Sequence, residues 1–161
     1  SALGGGMSSR LFQKIREEKG LCYSIFAQSG FHDDTGMVTI YAGTSGEQVA
    51  DLAKLTVDEL KRSAEDMSEV EVARARAQLK AGLLMGLESP TGQAERMARS
   101  LAIWGRVPDP AEVAERIDAV TVAQVRDHAQ RLIARARPAL ALYGPVKTAP
   151  SREELTERIA A

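Results

Sequence analysis

Histidine and cysteine are scarce in this chain, which has two histidines and one cysteine among its 161 residues. A catalytic zinc site built on a helix needs two histidines on one helical face with a glutamate beside them. His128 has Gln124 and Leu132 at the positions four residues away, so it offers no such arrangement. His32 precedes two aspartates, which leaves two interpretations open, a weak cation site or the polar turn of a hairpin, and the turn is favoured. We therefore expect no metal ligand in this chain.

Other shortages exclude further classes of function. A net charge of −1 and only 4% aromatic residues give no support to nucleic-acid binding. The apolar stretches are too short to predict a membrane span. The single cysteine, Cys22, cannot form an internal disulfide and fits a reducing compartment, and we interpret it as a packing thiol. With 44% apolar and 27% charged residues, the composition is typical of one globular domain, taken to span residues 1–161.

The most informative stretch covers residues 4–31 and reads GGGMSSRLFQKIREEKGLCYSIFAQSGF. Three glycines precede a short amphipathic helix, for which Ser8 or Ser9 is the predicted N-cap. Gly20, after Lys19, predicts a left-handed helix end. The alternation that follows predicts a strand over residues 21–31.

Arg16 and Tyr23 are unusual within this element. Arg16 lies one helical turn after Phe12, at the border of the apolar face. Tyr23 alternates with Leu21 and Ile25, which predicts a half-buried ring. A tight turn between helix and strand allows Arg16 and Tyr23 to converge, and a guanidinium beside a phenol suits a carbonyl oxygen or an oxyanion. The residues alone leave the alternative open that Arg16 only extends to solvent and Tyr23 is an ordinary sheet aromatic.

The rest of the chain predicts two more strands and a block of helices. A polar turn over residues 32–36 leads to a strand over 37–43, which should pair with the first strand and be buried on both faces near its middle. Another strand is predicted over 138–143. Helix periodicity and capping residues predict helices over about 47–64, 70–87, 90–104, a short stretch from 110, 121–135 and 151–161. We expect an α+β layered sandwich in which helices pack on one face of a largely antiparallel sheet.

The string GGGMSSRLFQKIREEKGLCYS resembles the C-terminal half of the M16 zinc peptidases, the family of pitrilysin, insulin-degrading enzyme and mitochondrial processing peptidase. That half carries a glycine-rich turn, then SRLF, then an arginine and a tyrosine seven positions apart. Here Arg10 lies within the SRLF string, and the pair is Arg16 and Tyr23. The resemblance implies an M16 metallohydrolase-like domain that is incomplete at its N-terminus.

The resemblance also implies a function. Arg16 and Tyr23 would be catalytic in a zinc-dependent metalloendopeptidase. Gly4, Gly5, Gly6, Ser9 and Arg10 would contact the peptide substrate, although the glycines suit a hinge equally well. The zinc would be bound by an N-terminal half or a partner subunit, with none in this chain. We also expect a cytoplasmic homo-oligomer. The alternative is a non-catalytic structural or partner subunit of the same family.

Overall fold

The computed structural model of the chain describes residues 1–32 and 34–161. Over these residues it contains a π-helical segment, two strands and six α-helices, which confirms the predicted α+β class. In chain order the elements are the π-helical segment Phe12–Glu17, β1 Ser24–Phe31, β2 Gly36–Gly43, α1 Val49–Glu65, α2 Glu69–Gly86, α3 Pro90–Trp104, α4 Pro110–Asp118, α5 Val122–Ala134 and α6 Arg152–Ala160.

The two strands form the predicted antiparallel hairpin. Their register runs from Ser24 opposite Gly43 to Phe31 opposite Gly36. The predicted turn over 32–36 includes Asp33, which lies outside the described residues. The expectation that the second strand is buried on both faces is wrong, since Val38 and Tyr41 are exposed. The π-helical segment packs against β1. Among the described residues, β1 is the strand that pairs with β2.

Most helices begin where capping chemistry predicts. Ser68 and Glu71 form a reciprocal capping box at α2, and Thr121 and Gln124 form another at α5. Proline occupies the first turn of α3 and of α4, where its missing N–H costs no helical hydrogen bond. These signals are local, and that is why the sequence locates the helices well.

The predicted strand over residues 138–143 does not form. Among the described residues this stretch pairs with neither β1 nor β2, and Leu140, Leu142 and Tyr143 are exposed. A strand needs a neighbouring edge for its N–H and C=O groups, and alternation in the sequence does not supply one. The apolar pattern of this stretch was therefore misleading.

The core joins the first element to the first long helix. Its buried residues are Leu11 just before the π-helical segment, Ile15 within it, Cys22 and Ile25 at the start of the hairpin, and Leu52 on α1. Beyond this core, α1 packs against α5 and α6, and α2 packs against α4. None of the helices among the described residues is long and apolar enough to cross a membrane.

A mostly apolar groove of about 320 Å³ lies between the sheet and the helices. The N-terminal residues and β1 form one wall, and α1, α2 and α5 form much of the other. Its apolar lining includes Leu3, Phe31, Leu79, Val125 and Leu132. The sheet and α1 therefore share a core around Leu11 and Ile15, whereas the groove separates β1 from the helices elsewhere.

Candidate functional site

The segment that carries Arg16 is wound as a π-helix rather than the predicted α-helix. The Glu18 N–H donates to the Gln13 carbonyl at 2.9 Å, five residues back. Leu11 and Ile15 are fully buried beneath the segment, while Phe12 and Arg16 remain partly exposed. Single π-turns are rare and are found disproportionately at functional sites. Apolar periodicity does not distinguish a π-turn from an α-turn, so the sequence does not predict the π-turn.

The left-handed helix end predicted at Gly20 is confirmed. Gly20 has φ +63°, and its N–H donates to the Arg16 carbonyl at 3.1 Å. The next N–H, from Leu21, returns to the Ile15 carbonyl at 3.1 Å. The chain thus reverses at once and brings Tyr23 back alongside Arg16. No side-chain cap is found at the start of the segment in the described residues, so the predicted serine N-cap is wrong.

Arg16 is held by three neighbours. Its guanidinium carbon lies 4.7 Å from the centre of the Phe12 ring. Its Nε donates to the backbone carbonyl of Tyr23 at 2.9 Å, and its Nη1 forms an ion pair with Glu17. The Arg16 side chain is still 39% exposed. It is therefore both oriented and accessible, and its Nη2 takes no part in these contacts.

Tyr23 lies at the surface, directly before β1. Its N–H donates to the Gly43 carbonyl at 2.8 Å, which fixes its backbone to the sheet. The residue is 78% exposed, so the prediction of a half-buried ring is wrong. The strand begins one residue later, at Ser24, and the alternation that would have buried the ring does not reach Tyr23. The Tyr23 backbone carbonyl thus binds the Arg16 guanidinium, and both side chains reach solvent.

Arg10 is bound inside the protein. Its Nε and Nη2 donate to the two carboxylate oxygens of Glu71 at 2.8 and 2.9 Å, and its Nη1 contacts Asp66. Buried Glu59 lies 3.9 Å from Nη1. Only 8% of the Arg10 side chain is exposed. Arg10 therefore joins the first element to the end of α1 and the start of α2.

Glu71 is a site residue that sequence reasoning missed. The pattern of charges on α2 predicts a solvated face, and the Ser68–Glu71 capping box was the only hint of another role. Burial alone would raise the pKa of Glu71, but hydrogen bonds from Arg10 and Ser68 outweigh it and lower the pKa to about 2. The same hydrogen bond raises the pKa of Arg10. Both groups are charged across the physiological range.

The three glycines lie close to neighbouring groups, and Ser9 is buried. Gly4 accepts a hydrogen bond from the Ala27 N–H at 2.8 Å, and a Cβ on Gly4 would lie 2.5 Å from that nitrogen. A Cβ on Gly5 would meet the Ser1 backbone, and one on Gly6 the side chain of Gln78. Ser9 is buried, and its hydroxyl has no hydrogen-bond partner among the described residues. Close approach explains Gly4, and the substrate role of the run stays a prediction.

The residues that could bind a metal lie apart. His32 follows β1, and His128 lies on α5 at the apolar groove. Within the described ranges no group of three or more His, Cys, Asp or Glu side chains is arranged to hold a metal ion. Cys22 is buried, as predicted, and burial raises the pKa of its thiol. The residues described here do not fit a zinc site.

Comparison with known proteins gives a consistent result. The family model described as the Peptidase M16 inactive domain matches residues 1–79. A Streptomyces coelicolor protein that bears the name uncharacterized zinc protease is 39% identical over 148 residues, which cover 91% of this chain and 32% of that protein. The chain spans about a third of the length of the curated relatives it matches.

Two solved structures share the fold. A conserved protein from Enterococcus faecalis superposes with a TM-score of 0.70 at 25% identity, covering 81% of this chain and 30% of its own. A chain of complex III2 from Candida albicans superposes with a TM-score of 0.69 at 28% identity, covering 81% of this chain and 31% of its own.

Proposed function

From the finding that this chain belongs to the M16 peptidase family and carries its C-terminal domain, we propose that it is one part of a zinc-dependent metalloendopeptidase. In this proposal the domain closes over the substrate chamber and supplies Arg16 and Tyr23 to peptide-bond hydrolysis. Zinc and its ligands belong to an N-terminal half or to a partner subunit, because the described residues of this chain do not fit a zinc site.

The observation that carries the proposal is the link between Arg16 and Tyr23. The Arg16 Nε lies 2.9 Å from the Tyr23 carbonyl oxygen, and both side chains reach solvent. A purely structural arginine would donate its N–H groups to acceptors within the protein, as Arg10 does to Glu71 and Asp66. Arg16 Nη2 takes no part in the contacts with Phe12, Glu17 and the Tyr23 carbonyl, and Tyr23 is itself exposed. We propose that both groups offer donors to the substrate.

This pair suits the charge that develops when a peptide bond is attacked. The Tyr23 hydroxyl would donate a hydrogen bond to the oxygen of the scissile carbonyl as it becomes an oxyanion. Arg16 would donate from Nη2 to a neighbouring backbone carbonyl of the substrate and hold the peptide in register. Donors that are fixed before the reaction need no reorganisation during it, and loss of one costs about 100-fold or more in turnover.

The other predicted substrate contacts take a supporting place in the proposal. Arg10 is engaged by Glu71, and Gly4 approaches β1 closely. We propose that these residues and buried Ser9 fix the stretch from Arg16 to Tyr23 to α2 and to the sheet, while Gly5 and Gly6 border the path of the peptide. Substrate contact by this second group follows from the resemblance of the glycine-rich string alone.

A second candidate is a non-catalytic subunit of an assembly. The likeness to a chain of complex III2 from Candida albicans favours it, since that chain belongs to a multisubunit complex. A scaffold of this kind would have no use for an oriented arginine beside an exposed tyrosine. The two candidates therefore differ in what loss of the Tyr23 hydroxyl would do.

The proposal is tested with the complete protein and a quenched fluorescent peptide. We expect cleavage that a zinc chelator abolishes and that zinc restores, and a fall of about 100-fold or more in kcat for Tyr23→Phe with unchanged thermal unfolding. Tyr41→Phe is the matched control, because Tyr41 is an exposed tyrosine of the same hairpin that stacks on Phe26. Equal activity of the two variants would refute the catalytic role of Tyr23, and a complete protein without peptidase activity would favour the second candidate.

A further inference from the structure

We propose that Phe12 is a positioning residue for Arg16, an inference that rests on the proposed function. The Phe12 ring would hold the Arg16 guanidinium in the plane from which Nη2 reaches the substrate backbone. The geometry that points to this is the distance of 4.7 Å between the guanidinium carbon and the ring centre. At this distance a cation above an aromatic face is attracted by the negative charge of the ring face.

The ring is a firm support because its other side is anchored. Phe12 packs against the core cluster that contains Leu11, Ile15 and Ile25. Phe12 and Arg16 are four residues apart in the sequence, and the π-helical segment brings them together about one turn apart. Core packing restrains the Phe12 rotamer, and the ring then restrains the guanidinium above it. Arg16 is thereby connected to the rigid part of the fold through a neighbour that is not charged.

Each contact of Arg16 restrains a different part of its guanidinium. The Tyr23 carbonyl accepts from Nε, Glu17 binds Nη1, and the Phe12 ring covers one face of the guanidinium. The hydrogen bond and the ion pair fix the direction of the side chain, but both partners are at the surface, where water competes. The ring excludes water from one face and prevents the guanidinium from tilting. A long arginine side chain otherwise loses much rotamer freedom when substrate binds, which would weaken binding in the transition state.

The alternative is that Phe12 only packs at the edge of the core and has no effect on the position of Arg16. The two explanations differ in their response to a change of ring and to the presence of the cation. If the ring acts through Arg16, an aromatic replacement preserves activity, and the effect of removing the ring vanishes once the cation is removed. If Phe12 only fills space, neither statement holds.

The test is a double-mutant cycle in the complete enzyme. Phe12→Leu should lower kcat/KM by about 5-fold, whereas Phe12→Tyr should retain activity within about 2-fold, because it keeps the ring. In an Arg16→Gln background, Phe12→Leu should change kcat/KM by less than about 2-fold, because there is no cation left to position. Phe26→Leu is the matched control, since Phe26 is a part-exposed ring that stacks on Tyr41, whereas the ring beneath Arg16 is Phe12.

Equal losses from Phe12→Leu in both backgrounds, or a Phe12→Tyr variant as impaired as Phe12→Leu, would overturn the inference. If Arg16→Gln itself has wild-type activity, the proposed role of Arg16 fails first, which separates the two hypotheses. A measurement without substitution keeps the inference testable should Phe12→Leu unfold. With arginine-selective ¹⁵N labelling, the Arg16 side-chain protons should resonate upfield of the other arginines through the ring current, and a resonance at the usual position would contradict it.

Discussion

Arg10 and Arg16 stand six positions apart, yet the fold uses their guanidinium groups in opposite ways. Arg10 gives three nitrogens to Glu71 and Asp66 and is almost wholly buried. Arg16 gives one nitrogen to a backbone carbonyl and one to an exposed carboxylate. The first fixes the element to the helices, and the second leaves donors at the surface. Because bidentate pairing fixes an arginine plane, Arg10 sets the position from which Arg16 extends.

We predict that Glu71→Gln destabilises the chain by about 1–3 kcal/mol at neutral pH, because Arg10 would lose a charged partner while still buried. Solvent screens this partly exposed pair, so the lower end of that range is favoured. Chemical denaturation followed by circular dichroism measures the loss. Glu65→Gln is the control, an exposed glutamate at the end of α1, and should change stability by less than about 0.5 kcal/mol.

The same pair sets a pH dependence. The pKa of Glu71 is lowered from 4.5 to about 2 in the folded chain, so the pair stabilises fully above pH 4.5. This contribution is lost as pH falls from 4.5 towards 2, because the unfolded chain binds a proton that the folded chain does not. The difference in stability between wild type and Glu71→Gln should therefore shrink over that interval. A difference that stays constant from pH 7 to pH 2 would show that the pair is not its source.

At the residue scale, sequence predicted neighbours along the chain better than contacts across it. The convergence of Arg16 and Tyr23 follows from a helix, a Gly20 turn and a strand, all of them local signals. The contact of Arg10 with Glu71 joins positions 61 residues apart and has no local signature. The exposure of Tyr23 depends on where β1 begins, and strand ends are set by pairing with β2 rather than by alternation.

Among the elements, the turn at Gly20 is the most sensitive to a single methyl group. Gly20 has φ +63° and open space around it, so an added Cβ would strain only the backbone. We predict that Gly20→Ala costs about 1 kcal/mol. Gly82→Ala is the opposite case, since Gly82 lies inside α2 with nothing near its absent Cβ, and it should stabilise by about 0.5–1 kcal/mol.

Thermal unfolding of the two alanine variants measures both effects in one experiment. The added methyl group is the same, so the difference in sign comes from backbone conformation alone. A Gly20→Ala variant as stable as Gly82→Ala would mean that the left-handed turn does not persist in solution. If the complete protein has the proposed peptidase activity, its loss in Gly20→Ala without unfolding would place the cost at the contact between Arg16 and Tyr23.

Helices were predicted more reliably than strands for a physical reason. A capping box such as Ser68 with Glu71 completes its hydrogen bonds within four residues. Residues 138–143 needed a partner strand, and among the described residues none lies beside them. The π-helical segment escaped prediction because one additional residue in a turn leaves the buried positions Leu11 and Ile15 four apart, as in an α-helix.

For the molecule as a whole, the composition does not predict how much apolar surface is exposed. The groove between sheet and helices is mostly apolar, and α3 exposes Met97, Leu101 and Trp104 along one side. Exposed apolar side chains along one side of a helix are typical of a surface that contacts another protein. A ratio of apolar to charged residues counts side chains but does not say which of them find a partner.

We predict that the chain on its own associates as its concentration rises. Trp104 is the only tryptophan and is 58% exposed, so its fluorescence reports on α3. Emission should lie near that of hydrated indole in dilute solution and shift to shorter wavelength as the mass from sedimentation increases.

Leu101→Asp should suppress both changes, whereas Val70→Asp, at an exposed apolar position at the start of α2, should not. A constant mass and a constant emission maximum over the whole concentration range would contradict the prediction.

The π-helical turn has one last consequence. Such a turn amounts to an α-helix that holds one residue more than its hydrogen bonds require. Deletion of a single residue between positions 12 and 17 would restore ordinary α-helical hydrogen bonds, so the segment would still form a helix. Each α-helical residue rotates the chain by about 100°, however, so the residues after the deletion, Arg16 among them, would turn by that angle relative to buried Leu11. If the chain acts as proposed, a variant without the extra residue would still fold but would misplace Arg16 and lose activity.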